Sequence, residues 1–178
     1  MARRETAARR YAEAAFQIGE ADGSLDRWEA DLRKLRAALE DADLGALVVH
    51  PAIAFADKER VLRRVVGEVG DEAMNLVLLM IRRGRPGAIG RMVEHFDELV
   101  RRERGIDLAE VRTALPLDDA QRSAIESRLR ELTGNRIEIN EVVDEALIGG
   151  LTVRIGDLLY DASVRTRLER LRTRLTAI

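Results

Sequence analysis

Residues 149 and 150 are adjacent glycines, and glycine-rich turns beside apolar runs are one way a chain cradles a phosphate. The surrounding stretch, EALIGGLTVRIGDLLYDAS (145–163), sets the pair before an alternating apolar run. Gly156-Asp157 follows, then a short apolar run closed by Asp161-x-Ser163. Neither G-x-x-x-x-G-K-[ST] nor G-x-G-x-x-G is present, and the second half of the chain has no lysine. A glycine pair that opens a strand then reads as a bulge or a close backbone crossing. His50 and His95 are the two histidines, there is no cysteine, and no H-E-x-x-H spacing exists, so no metal site is expected. Ser24, Ser123 and Ser163 lack a nucleophile context such as G-x-S-x-G; Ser163 reads as the cap of a final helix. The acid pairs Asp118-Asp119 and Asp144-Glu145 fall at element margins, where negative charge favours a helix start. Catalytic, cofactor-binding and metal residues are all expected to be none.

The elements that would carry any other chemistry are mostly helical. The chain has 178 residues, is 46% hydrophobic and 35% charged, and has a formal net charge of −2. Only 3% of it is aromatic, so a core must come from Leu, Val, Ile and Ala. The N-terminal stretch is interrupted by Glu5 and Glu13 and does not read as a secretory signal; the longest apolar run, 76–81, is far too short to span a bilayer. A soluble, cytoplasmic protein is expected.

Residues 6–18 put Ala8, Tyr11, Ala12, Ala15 and Phe16 on one helical stripe. Leu25, Trp28, Leu32, Leu35 and Leu39 make a second helix, capped by Asp22 or Ser24, and 42–49 a short third that ends at His50-Pro51. Asp57 is expected to cap a fourth carrying Val61, Leu62, Val65, Val66 and Val69. Ala73 to Ile81 and Ile89 to Val100 repeat the period twice more. Short connections predict a six-helix bundle over 1–105.

The period changes after that. Val111, Thr113 and Leu115 alternate as in a strand ended by Pro116, and a helix follows with Asp118 as cap, Ala120, Ile125 and Leu129 inward and Gly134 as stop. Ile137 and Ile139 alternate, as do Leu151, Val153 and Ile155, and Gly156-Asp157 reads as a hairpin turn. Val164, Leu168, Leu171 and Leu175 stripe a last helix, a candidate partner contact or a lid on the sheet. The fold class is therefore multidomain, α and α+β: a helical bundle, 1–105, then a small mixed α/β domain, 106–178. Three arginine pairs, at 63–64, 82–83 and 101–102, raise an RNA- or ribosome-associated reading, but acids are interleaved and no base-stacking aromatic pattern accompanies them. The residues alone point to a non-catalytic two-domain protein whose surfaces meet other proteins.

The segment IEINEVVDEALIGGLTVRIGDLLYDASVRTRLERL resembles the C-terminal signature of the ATP synthase delta subunit family, which includes the mitochondrial oligomycin-sensitivity-conferring protein. Asp144, Leu147, Ile148, Gly149, Gly150, Val153, Gly156, Asp157, Asp161 and Ser163 carry it, with Leu168 and Leu171 beyond. RRYAEAAFQIG, VVHPAIAFADKERVL, MNLVLLMIRRGR and VRTALPLDDAQ extend the likeness over the whole chain, with Leu76 where the family often has Phe. The resemblance implies a non-catalytic peripheral-stalk subunit of the proton-driven synthase. It implies that the bundle binds the N-terminal segment of an alpha subunit in a groove between the first and fifth helices, near Tyr11, Ala15, Asn75 and Leu79. It implies that the second domain binds the C-terminal region of the b subunit, with Leu168, Leu171 and Leu175 as candidate contacts. It also implies no nucleic-acid partner, no cofactor, and a place on the cytoplasmic face of the bacterial plasma membrane, held there through the complex.

The period shift near 104–107 makes one expectation direct. A fragment of residues 1–105 should fold alone with a helical circular-dichroism spectrum; substantial strand or coil signal would refute the division.

Overall fold

The computed structural model describes the backbone of residues 2–176 and the side chains of residues 5–173. The chain divides into two compact units, Met1–Val100 and Arg101–Ile178. Among the described residues the first contains α1 (Ala2–Ala21), α2 (Leu25–Glu40), α3 (Ala42–Val49), α4 (Phe55–Val66), α5 (Asp71–Arg82), a single 3-10 turn (Pro86–Ala88) and most of α6 (Ile89–Glu103). These elements share one apolar core. Helix α6 shows why. Ile89, Met92, Val93, Phe96 and Val100 recur at spacings of three and four and are all buried, while Arg91, Arg101 and Arg102 face away. Each such side chain removed from water contributes about 1.5–3 kcal/mol. Phe96 meets Trp28 of α2 with ring centroids 6.3 Å apart.

The ends of the helices are set by polar groups. Asp41 stops α2 and starts α3, its carboxylate accepting the Asp43 and Leu44 N–H groups at 3.1 and 3.0 Å. Ser24 takes the cap position of α2 without a side-chain bond. Asp57 does not cap α4: the helix begins two residues earlier, with Ala54 as N-cap, and Asp57 pairs with Arg60 at 2.9 Å inside the first turn. Val65 of that helix is 58% exposed, because its apolar stripe is wider than the core it meets. One polar contact ties two helices together. Asp31 of α2 is buried, and its Oδ2 accepts the N–H of Gly70, the cap residue of α5, at 2.9 Å. That donor has no partner within its own helix, so the carboxylate supplies one across the core boundary.

The second unit is a four-stranded sheet with one helix packed on it. The strands are β1 (Ile106–Thr113), β2 (Arg136–Val143), β3 (Leu151–Ile155) and β4 (Leu158–Asp161), in the order β2-β1-β3-β4. β1 and β2 are parallel, and α7 (Asp119–Thr133) is the crossover that parallel pairing demands. A full capping box starts α7, with Asp118 accepting from Gln121 N–H and Gln121 accepting from Asp118 N–H; Gly134, left-handed at φ 75°, ends it. Leu129 of α7 lies over Ala109, Val111, Ile137, Val153 and Ile155 in the second core. Ala120 faces solvent rather than the core, like its neighbours Asp119 and Gln121 in the first turn of α7. Leu115 also departs from expectation: β1 stops at Thr113, and Leu115 is 76% exposed in the connection ahead of Pro116. β3 and β4 form a hairpin through Gly156-Asp157, in which only Gly156 has positive φ (55°), as the first position of a type II′ turn requires. All of β4 is exposed.

The glycine pair meets the start of α8 (Val164–Thr176). Gly149 C=O accepts the Val164 N–H at 2.9 Å, and Leu151 C=O accepts the Ala162 N–H at 3.0 Å. Between these bonds a Cβ on Gly150, at φ 79°, would stand 2.5 Å from the Ala162 carbonyl oxygen and 3.0 Å from the Ser163 Cα. The role of the glycine pair is steric: two backbones touch here, and only glycine fits at 150.

Two substitutions test these contacts. Asp31→Ala should lower the unfolding free energy by about 1–3 kcal/mol, and Asp31→Asn, which keeps an acceptor, by less. Equal urea midpoints for wild type and Asp31→Ala would discard the tether. Gly150→Val should cost about 1–3 kcal/mol in strain and clash, and Gly149→Ala less, since its Cβ would meet only the movable Val164 Cγ2 at 3.3 Å. Denaturation curves showing Gly150→Val as stable as wild type would refute the crossing.

Candidate partner-binding surfaces

The start of α8 is the most heavily bonded loop-to-helix junction of the second unit. Asp161 accepts the Ser163 N–H at 2.8 Å and the Thr166 hydroxyl at 2.7 Å, and Ser163 Oγ accepts the Thr166 N–H at 3.3 Å. Ser163 is buried and caps the helix. The Ser163 N–H first, then the Ser163 and Thr166 hydroxyls, hold the Asp161 carboxyl below the usual carboxylate range, and Arg170 adds to this. A lowered folded-state pKa means the cap is complete above the ordinary carboxylate range and weakens only as acid protonates Asp161. Asp144, at the start of the connection between β2 and β3, accepts the Ala146 N–H at 2.9 Å and gives its own N–H to Thr113 C=O at 2.8 Å. Arg165 closes the junction from the helix side, donating to Ala146 C=O at 3.1 Å.

What this junction aims is an open apolar stripe. Leu168 and Leu171 are each 54% exposed, and among the described residues no side chain of α8 belongs to the second core. Leu175 lies outside the described side chains.

The four residues expected to line a groove on the first unit separate by burial. Ala15 is wholly buried in the unit's own core and offers no free surface, because α1 needs a small residue there to pack against its neighbours. Tyr11 is half-buried against the same core. Asn75 and Leu79, one turn apart on α5, are exposed, Leu79 by 41%. Asn75 Oδ1 accepts from Arg63 of α4 at 3.5 Å. Helices α1 and α5 pack against one another. Ile18, 46% exposed and seven residues beyond Tyr11, continues the α1 stripe outward. The same 3.6-residue period that located Tyr11 and Ala15 reaches Ile18, so this residue was within range of the sequence argument.

The remaining candidates have local partners. His50 Nδ1 accepts the Ala52 N–H at 3.3 Å in the turn after α3. His95 stands between Glu5 of α1, at 2.9 Å, and Glu98 of its own helix, at 3.3 Å. Two arginines of the three pairs have local partners. Arg63 pairs with Glu59 at 3.0 Å and Asp71 at 3.6 Å, and Arg82 lies 5.8 Å over the Phe55 ring. No helix among the described residues is long and apolar enough to cross a membrane.

This two-unit architecture has clear relatives. The chain is 36% identical over 169 residues to the ATP synthase subunit delta of Caulobacter vibrioides, covering 93% of this chain and 92% of that one. It is 36% identical over 179 residues to the ATP synthase subunit delta of Chromohalobacter salexigens, covering 99% and 100%. Among solved structures, a chain of the Toxoplasma gondii mitochondrial ATP synthase hexamer superposes with a TM-score of 0.71 at 26% identity, covering 96% of this chain and 98% of that one. The profile of the ATP synthase delta (OSCP) subunit matches residues 7–175. A match of that extent, on a helical unit followed by a small α/β unit, makes this chain a member of the ATP synthase delta (OSCP) subunit family.

Proposed function

We infer that the chain is a peripheral-stalk subunit of an F-type ATP synthase, linking the catalytic head to the membrane-anchored stalk so that the head does not turn with the rotor. The observation that carries this is the family match across residues 7–175, together with like architecture along nearly the whole chain. The role is mechanical, and the chain contributes no catalytic group to the complex. It is a peripheral component, held through its partners at the cytoplasmic face of the membrane.

The two units divide the work. The six helices of the first form a bundle whose α1–α5 face binds the N-terminal segment of an alpha subunit as a helix laid on an apolar stripe. Leu79, Asn75, Tyr11 and Ile18 present that face, with Ala15 beneath it as packing. The second unit binds the C-terminal region of the b subunit, and the leucines of α8 are its contact. A stator of this design needs two anchoring surfaces on separately folded units, and both units carry exposed apolar positions on their helices.

Leu79→Glu combined with Ile18→Glu places charge where the partner would desolvate it. Both positions are exposed, so the free chain should keep its wild-type circular dichroism and melting temperature. Affinity for a peptide from the alpha subunit's N-terminus should fall by roughly tenfold or more, about 1.4 kcal/mol per decade. In membranes, loss of the chain should abolish coupled synthesis while the detached head still hydrolyses ATP. Undiminished peptide affinity would remove the α1–α5 face, and a wild-type chain that binds neither head nor stalk would remove the stator reading.

A further inference from the structure

The α1–α5 face of the first unit is electrically polarised along its length. On α5, Glu72, Asn75, Leu79 and Arg83 follow one another at spacings of three and four, so they stand in a single exposed row. The row starts on an acid and ends, about 16 Å further on, on an arginine. The end of α1 adjoins the start of α5: Asp22, one turn beyond Ile18, lines a cleft of about 140 Å³ together with Glu72. Arg27 and Asp31 also line that cleft and pair with each other at 3.8 Å. The turn after α5, Pro86–Ala88, packs on α1 as well. The two helices therefore run antiparallel, and Arg83 and Arg85 mark the opposite end of the face. Asp22, Glu72, Arg83 and Arg85 are all exposed, and none has an ion-pair partner among the described residues. Their neighbours Asp71 and Arg82 are engaged, by Arg63 at 3.6 Å and by the Phe55 ring.

Helix stability accounts for only half of this pattern. An acid at the start of α5 and arginines at its end complement that helix's own dipole. On α1 the order is reversed. Arg9 and Arg10 lie in its first half, Glu20 and Asp22 stand at its end, and its last turn has no basic residue, although the dipole favours cations there. The α1 order costs that helix stability, and its effect is to gather acids at one end of the shared face and arginines at the other. We propose that this polarity selects and orients the docked segment. The segment is an amphipathic helix whose basic residues meet Asp22 and Glu72 and whose acidic residues, about three turns away, meet Arg83 and Arg85. Its apolar stripe holds it on Leu79 and Ile18, and its charges decide which way round it lies. This rests on the reading that the first unit binds the head, and it adds the charge order that the head segment carries.

The test titrates the full-length chain with two peptides: the N-terminal segment of the alpha subunit, and the same segment with its acidic and basic residues exchanged. The wild-type chain should bind the natural peptide about three- to tenfold more tightly than the exchanged one, with the difference mainly in a salt-sensitive association rate. Glu72→Arg combined with Arg83→Glu should reverse that preference. Because this swap opposes the α5 dipole, its melting temperature is measured first, and Glu72→Gln combined with Arg83→Gln serves as the milder companion, which should shrink the preference without reversing it. Equal wild-type affinity for the two peptides, or tighter binding of the exchanged one, would overturn the polarity while leaving the α1–α5 face standing. A preference undiminished in both variants would overturn its assignment to these residues. No binding of either peptide by the wild-type chain would overturn the head reading and the polarity together.

Discussion

No side chain fits between residue 150 and the Ala162 carbonyl, and that exclusion organises the second unit. Because the two backbones touch, the sheet edge and the start of α8 have one relative position. The hydrogen bonds of Gly149 and Leu151 to residues 164 and 162 hold it from either side. Asp161 and Ser163 then complete the helix start, so the direction of α8 does not depend on packing its own apolar face. A helix normally gains most of its stability by burying that face. Here the junction supplies the orientation, and the face stays available.

The two units differ in how they use apolar residues. The first spends them inward: α5 and α6 bury wide stripes, and Asp31 joins α2 to the head of α5 where a helix end would otherwise lack an acceptor. The second has a thinner core, one helix over part of one sheet face, and keeps many large apolar side chains outside it. This asymmetry suits a part whose job is to be held at both ends. Its first unit closes one apolar core, and its second leaves large apolar side chains open to solvent.

Much of this was legible in the sequence, and the misses have physical reasons. The helices of the first unit announced themselves because their inner faces repeat at 3.6 residues without interruption. Ala15 was misplaced as groove lining because a small residue on a helix serves equally for its own packing and for a partner's approach, and sequence does not separate the two. Leu115 continued the two-residue alternation of β1 by one step too many; the strand ended at Thr113, where the parallel crossover begins. The glycine pair reads locally as either a bulge or a close crossing; the crossing is what forms, and which backbone it approaches is a long-range fact.

Strand β4 has a consequence for the chain before assembly. It is an outer strand whose Leu158, Leu159 and Tyr160 are all open to solvent, with Asp161 as its only charge. Such an edge invites a second sheet to add itself, the first step of aggregation. Its brevity limits that hazard. The strand ends four residues after a tight turn, and α8 follows two residues later, so a stray strand finds too short a ladder to hold. The junction that starts the last helix thereby also ends this edge after four residues.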